Sequence, residues 1–125
     1  MAVQNPYARY SNQAVFTASR EELTLMLYEG ALKFANQAIS ALEGKDYGKA
    51  NELIIRVEDI IREFQLTLDR SYEISKNFDA LYDYMYRRLL DANISKDPAD
   101  VMEVRDMLRE FRDMWKEAMK LARTA

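Results

Sequence analysis

The sequence predicts an all-α protein, an antiparallel up-down-up-down four-helix bundle that follows a short N-terminal arm. Glycine and proline are scarce, with three Gly and two Pro in 125 residues. Four segments carry apolar residues at intervals of three and four, which is the helical period. No segment shows the period-two alternation of a strand bounded by turn residues. We therefore expect residues 1–18 to form the arm and residues 19–125 to form the bundle as a single domain.

The first two predicted helices have recognisable ends. Ser19 and Glu22 form an S-x-x-E capping box before helix one, and Gly44 closes that helix. Asp46 can cap helix two. The apolar residues of helix two share one face: Ala50, Leu53, Ile54, Val57, Ile60, Ile61, Phe64 and Leu68.

The second half of the chain predicts two more helices. Asn77 can cap helix three, which runs to about Asn93. Helix four opens with Asp97 as its N-cap, Pro98 at the first helical position and Asp100 near the positive end of the helix dipole. Its predicted core seam contains Val101, Val104, Leu108, Phe111, Trp115, Ala118 and Ala122. Because the connections after helices one and three are short, those neighbours should run antiparallel.

Composition excludes several classes of function. The chain has no cysteine and no histidine, which removes thiolate chemistry, the usual general base and the usual zinc ligands. The 18 Lys and Arg residues and 21 Asp and Glu residues give a net charge of −3, and no basic patch suits a nucleic-acid backbone. The acidic residues fall on solvent-facing stripes, so we expect none to be buried with a raised pKa. We predict a binding protein without catalysis, metal, cofactor or nucleic acid.

The sequence also carries no targeting signal that we recognise. The first twenty residues lack a basic region followed by an apolar one, as a secretion signal would have. The longest apolar runs are far shorter than the ~20 residues that span a bilayer. We expect a cytoplasmic protein without membrane insertion.

Helix one has more apolar surface than a bundle seam requires. A second apolar stripe, displaced by one residue from the first, includes Leu25, Tyr28, Leu32 and Ile39. Helix four repeats the excess at Met107, Met114 and Leu121, and unbranched Met side chains suit grooves that accept varied partners. These stripes either face a partner or are buried on two flanks of the bundle.

Two tyrosine-containing regions raise the same question of exposure. Tyr84 falls on a polar side of helix three with Arg87, so we expect it at an exposed interface unless its ring covers a neighbouring side chain. In the arm, Pro6 can start a helical turn that places Tyr7 and Tyr10 on one side. The arm either packs on the bundle or is available to a partner.

Four separated stretches of the chain resemble one family. They are NPYARY, LTLMLYEGALKF, ALYDYMYRRLLDAN and EVRDMLREFRDMW, and together they resemble the flagellar secretion chaperones of the FliS family. The resemblance implies a compact antiparallel four-helix bundle that binds newly made flagellin in the cytoplasm. It further implies that the chaperone holds the disordered C-terminal region of flagellin, prevents premature polymerisation and keeps the subunit competent for type III export.

The resemblance also implies roles for particular residues. In the family, the N-terminal segment covers part of the client groove and contributes to docking at the export gate, which here concerns Asn5, Pro6, Tyr7 and Tyr10. We hypothesise that the client-binding surface is formed by Leu25, Tyr28, Leu32, Ile39, Met107, Met114 and Leu121. The alternative is a helical module that self-associates through the same stripes, as a homodimer for example, and has no export client.

Overall fold

The structure, a computed structural model, describes residues 19–124 and folds them into four α-helices. Helix α1 spans Arg20–Glu43, α2 spans Tyr47–Thr67, α3 spans Ser75–Ser95 and α4 spans Pro98–Thr124. The described residues contain no strand. The predicted all-α class with four helices is therefore confirmed, whereas the predicted arm lies outside the described residues.

The first two helices begin where their caps predict. The side-chain oxygen of Ser19 accepts a hydrogen bond from the backbone N–H of Glu22 at 3.2 Å. At α2, Asp46 Oδ1 accepts from the backbone N–H of Lys49 at 3.3 Å. Each cap satisfies one of the N–H groups that a helix start leaves without a partner in the helix.

Helix α4 begins as predicted, but α3 does not. The carboxylate of Asp97 accepts a hydrogen bond from the N–H two residues later at 2.9 Å, and Pro98 is the first helical residue. Helix α3 begins at Ser75, after Ile74, which provides no side-chain cap. The prediction that Asn77 caps α3 is therefore wrong, because the helix starts before that residue.

A cluster of four aromatic rings, one from each helix, joins the bundle. The ring centroids of Tyr28 in α1 and Phe64 in α2 are 4.5 Å apart. Phe64 lies 5.7 Å from Tyr82 in α3, and Tyr82 lies 5.9 Å from Phe111 in α4. Tyr28 lies in the first half of α1 and Phe64 in the last turn of α2, and an ion pair joins Arg88 in the second half of α3 to Asp100 in the first turn of α4, so neighbouring helices run antiparallel.

The core of the bundle contains most of the predicted apolar faces, but Leu68 lies after the end of α2 and is only half-buried. Its largest fully buried side chains are Ile54, Ile60, Ile61, Met85, Leu89 and Leu108. Most of these side chains are β-branched or otherwise aliphatic, and their burial is the main favourable contribution to folding.

The described part of the chain contains neither a membrane-spanning helix nor a metal-binding group of carboxylates. No helix between residues 19 and 124 has the length and apolarity needed to cross a membrane. Over the same residues, no group of three carboxylates is arranged to hold a metal ion.

One carboxylate contradicts the expectation that every acidic residue is solvated. Glu58 is 7% exposed, and its Oε2 has no hydrogen-bond donor among the described residues. Burial raises the pKa of Glu58 from 4.5 to about 7; nearby Asp59 raises the pKa further, whereas Arg62 lowers it. Between about pH 4.5 and about pH 7, Glu58 therefore stays protonated in the folded protein, whereas an exposed glutamate would be ionised.

Replacing Glu58 with glutamine should remove a pH-dependent loss of stability. The unfolded chain releases the Glu58 proton above its ordinary pKa, and the folded protein releases it only near pH 7. The wild-type free energy of unfolding should therefore decrease by up to about 3 kcal/mol as the pH rises from the lower to the higher of these two pKa values. The Glu58→Gln variant should not show this decrease. Urea denaturation at about pH 5 and about pH 8 measures the difference.

The exposed Glu52 lies on the same helix and provides the matched control. Glu52→Gln should follow the wild-type pH profile. A Glu58→Gln profile parallel to that of the wild type would contradict the assignment of a buried, protonated carboxylic acid.

Candidate functional site

The C-terminal end of α4 extends beyond the helices on either side of it. Trp115 Nε1 donates a hydrogen bond at 3.0 Å to the backbone carbonyl of Glu21, which lies in the first turn of α1. The Phe111 ring lies 5.7 Å from that of Phe78, in the first turn of α3. Residues 116–124 of α4 thus pass the start of α3, and the last of them also pass the start of α1. We call these residues the α4 overhang.

The overhang and the turn before it expose apolar side chains. Met114 is 53% exposed and Leu121 is 60% exposed. Ala118 and Ala122, which were predicted to continue the core seam, are also exposed. That part of the prediction is wrong, because the helices beside α4 do not cover these two positions.

A groove lies beside Trp115, between the first turns of α1 and the end of α2. Its volume is about 620 Å³. Six of its lining residues are uncharged: Leu23, Thr24, Leu27, Phe64, Thr67 and Trp115. Arg20, Glu21 and Asp69 line it as well. We call this cavity the N-terminal groove.

The aromatic cluster forms the base of the N-terminal groove. Phe64 lines the groove while being only 5% exposed, so most of its ring is packed beneath the surface. Tyr28 packs on Phe64, and the hydroxyl oxygens of Tyr28 and Tyr82 are 3.5 Å apart. Burial raises the pKa of both tyrosines, so both hydroxyls are neutral at ordinary pH. The base of the groove is thus apolar and uncharged.

Polar contacts hold α4 in register with α1. Arg112 forms an ion pair with Glu29 at 3.3 Å, and Arg105 donates a hydrogen bond to the side-chain oxygen of Asn36, also at 3.3 Å. Partly exposed contacts of this kind add little stability individually. Their geometry nevertheless fixes which residues of α4 face α1, and therefore where the overhang begins.

Three of the seven residues predicted to bind a client are buried in the core. Tyr28, Leu32 and Ile39 are 6%, 6% and 5% exposed. The expectation that their stripe is free surface is wrong, because α1 packs against both α2 and α4 and buries an apolar flank on each. The wide apolar arc of helix one is therefore explained by burial on two flanks of the bundle, and not by a free surface at these three residues.

The other four predicted residues are accessible to different degrees. Leu25 and Met107 are half-buried, and Met107 packs against the core. Met114 and Leu121 are exposed near or on the overhang, as described above. Whether these residues bind a client stays a prediction.

Tyr84 is half-buried, and its hydroxyl makes a contact that its position on a polar side of helix three did not predict. Its hydroxyl donates a hydrogen bond to Glu103 Oε1 at 2.6 Å, and Arg88 donates to the same carboxylate oxygen at 2.9 Å. These two hydrogen bonds lower the pKa of Glu103. Arg88 also pairs with Asp100 at 2.6 Å. Tyr84 therefore connects α3 to α4, and whether it also lies at an interface with a partner stays a prediction.

Trp115 was predicted to lie in the core, and the sequence pattern did not reveal the groove. Leu23, Leu27 and Phe64 were not singled out for binding either. A relevant signal was available, because the helical pattern of helix four continues to Ala122 and is longer than the patterns expected to pack beside it. The predicted arm residues Asn5, Pro6, Tyr7 and Tyr10 lie outside the described residues.

Comparison with known proteins assigns this chain to a family. Residues 3–122 match the sequence profile of the family described as "Flagellar protein FliS". The chain belongs to the FliS family. The match covers nearly the whole chain, including α1, α2, α3 and all but the last two residues of α4.

Several relatives carry the corresponding name. A protein of Bacillus subtilis named flagellar secretion chaperone FliS is 47% identical over 98% of this chain and 92% of its own length. The flagellar secretion chaperone FliS of Escherichia coli is 34% identical over 85% of this chain and 80% of its own length. Flagellar secretion chaperone FliSB of Pseudomonas aeruginosa is 33% identical over 92% of this chain and 94% of its own length.

Two leucine substitutions should separate the core from the overhang. Leu32→Ala removes a buried side chain and should lower the free energy of unfolding by about 2–5 kcal/mol. Leu121→Ala, at an exposed position, should change the free energy of unfolding by no more than about 0.5 kcal/mol. Urea denaturation of both variants measures the contrast, and equal losses of stability would contradict the assignment of Leu121 to exposed surface.

Proposed function

We propose that this member of the FliS family is a flagellar export chaperone. It binds the C-terminal region of flagellin in the cytoplasm, prevents premature polymerisation and delivers the subunit to the flagellar type III export apparatus. The names of its relatives support a role in flagellar secretion. The proposal of a non-catalytic binding role is further supported by the absence of histidine and cysteine from the chain.

The observation that carries the proposal is the exposed apolar end of α4 beside the N-terminal groove. Met114 and Leu121 are seven residues apart, so they lie on nearly the same line of α4. An amphipathic helix of a client can lay its apolar face on such a surface. The unbranched side chain of Met114 adapts to different client side chains. A client that is disordered before binding can follow the surface from the overhang into the groove, at the entropic cost of becoming ordered.

Trp115 provides a direct reporter of client binding. It is the single tryptophan of the chain and lines the N-terminal groove. Titration with a tryptophan-free peptide from the C-terminal region of flagellin should produce a saturable change in Trp115 fluorescence, because the peptide displaces water from around the indole. Calorimetric titration should give the same affinity. Calorimetric binding with unchanged fluorescence would contradict the proposed location.

Substitution on the overhang should weaken client binding without unfolding the bundle. Leu121→Asp or Met114→Asp places a charge where the client would bury apolar surface, so the Kd should rise at least about tenfold. Ile94→Asp is the matched control, because Ile94 is 82% exposed and lies at the opposite end of the bundle. Calorimetry measures affinity, and circular dichroism verifies folding. Equal affinities of the Leu121→Asp and Ile94→Asp variants would contradict the proposed site.

The arm residues Asn5, Pro6, Tyr7 and Tyr10 are proposed to cover the groove or to dock on the export gate. Deletion of residues 1–16 should leave the bundle folded, and flagellin binding should be retained. Binding to the cytoplasmic domain of the export gate component should weaken. Thermal unfolding and two binding titrations measure these effects. Loss of folding on deletion would contradict the proposal of a separable arm.

The exposed overhang also supports the alternative of a self-associating module without an export client. Size-exclusion chromatography with light scattering, with and without the flagellin peptide, separates the two. The chaperone should form a complex containing one copy of each partner. A homodimer that is indifferent to the peptide would favour the alternative.

A further inference from the structure

Met114 carries a reactive group on the proposed client-binding surface. The chain has no cysteine, so the thioethers of its seven methionines are its only sulfur groups. Among the described residues, Met114 is 53% exposed, whereas Met85 is fully buried. The other described methionines are half-buried: Met26, Met102, Met107 and Met119. Met114 is therefore the most accessible thioether of residues 19–124.

The surface around Met114 on α4 is apolar as well as exposed. Ala118 and Leu121 follow Met114 by four and seven residues, so the three side chains lie on one face of the helix. All three are exposed. A client helix that lays its apolar face on this surface would enclose the Met114 thioether between apolar side chains.

Hydrogen peroxide converts an accessible thioether into a sulfoxide. The peroxide transfers one oxygen atom to the sulfur: its O–O bond breaks, a sulfur–oxygen bond forms, and the second oxygen leaves as water. The sulfur loses two electrons, and the peroxide gains them. The product is a polar, chiral side chain in place of a flexible apolar one. Because the chain has no thiol to react instead, its exposed thioether is the first sulfur that the peroxide meets.

The free-energy cost of this sulfoxide differs between the free and the client-bound protein. In the free protein, water solvates the sulfoxide oxygen at the exposed position, and no core packing is lost. Under the apolar face of a client helix, the oxygen loses this water and finds no donor, which is unfavourable. A modification shifts a binding equilibrium only through such a difference between the two states. Oxidation of Met114 should therefore weaken client binding without unfolding the bundle.

We propose that Met114 is a peroxide-sensitive modification site, at which oxidation of the thioether to the sulfoxide releases the client. The inference rests on the proposed client-binding role of α4. Methionine sulfoxide reductases convert the sulfoxide back to the thioether, so the release is reversible. Met85 does not take part, because its sulfur lies in the core and is protected from the peroxide.

Limited treatment of the full chain with hydrogen peroxide tests the proposal. Peptide mapping by mass spectrometry should show that Met114 gains an oxygen atom before the other described methionines. After removal of the peroxide, calorimetric titration with the flagellin C-terminal peptide should give a Kd at least about fivefold higher than before treatment. Circular dichroism should show an unchanged helical content, and methionine sulfoxide reductases should restore the original Kd. Earlier oxidation of a half-buried methionine, or an unchanged Kd with Met114 fully oxidised, would overturn the proposal.

Leucine variants identify which sulfur is responsible, and the ratio of the Kd after treatment to the Kd before treatment is compared for each protein. In Met114→Leu, which is apolar and of similar volume, this ratio should stay below about twofold. Met102→Leu is the matched control, because Met102 is half-buried on the same helix, and it should retain the full wild-type ratio. Equal ratios for Met114→Leu and the wild type would overturn the inference alone. Failure of the untreated wild type to bind the peptide would instead contradict the proposed function, and the inference with it.

Discussion

The antiparallel register of α4 against α1 is the constraint on which the candidate site depends. The Arg112–Glu29 ion pair and the hydrogen bond from Trp115 to the Glu21 carbonyl determine this register. Because α1 begins at the level of the last turns of α4, the end of α4 has no α1 turn to pack against. A longer first helix in the same register would bury the overhang, and a shorter fourth helix would remove it. The proposed binding surface therefore depends on where the neighbouring helices begin rather than on a special motif.

Trp115 connects the stability of the bundle with its candidate function. Its indole N–H holds the first turn of α1 in place, while its ring lines the N-terminal groove. Beneath the groove, Phe64 is packed by Tyr28, and the cluster continues to Tyr82 and Phe111. The groove thus has a closely packed apolar base that joins all four helices. A client helix would meet a preformed surface, which limits the entropic cost of binding to the ordering of the client itself.

Local signals in the sequence predicted the helices well where a side chain supplies the cap. Ser19 and Asp46 cap their helices as expected, because an oxygen one residue before the helix can reach the unpaired N–H groups. Helix α3 starts without such a side chain, so its beginning could not be found from capping residues. Its start depends on packing in the bundle, which the local sequence does not reveal.

The candidate site was predictable only in part, because periodicity shows which faces are apolar and not what covers them. The arc containing Tyr28 and Leu32 was correctly identified as unusually wide, but it is covered by the helices on both sides. Met114 and Leu121 belong to a similar pattern and are exposed, because the neighbouring helices do not cover their side of α4 near its C-terminal end. Glu58 escaped notice for a related reason. It lies at the edge of an apolar face, and only the position of α3 determines that its carboxylate is buried.

Hydrogen–deuterium exchange of the full chain, with and without a flagellin C-terminal peptide, tests the central claim most directly. The overhang is short of tertiary contacts among the described helices, so its backbone should exchange quickly in the free protein. The peptide should slow exchange in residues 112–123 and in the first two turns of α1, and leave the end of α3 unchanged. Protection confined to the α2–α3 side of the bundle, with no change in α4, would contradict the claim that the overhang and the N-terminal groove receive the client.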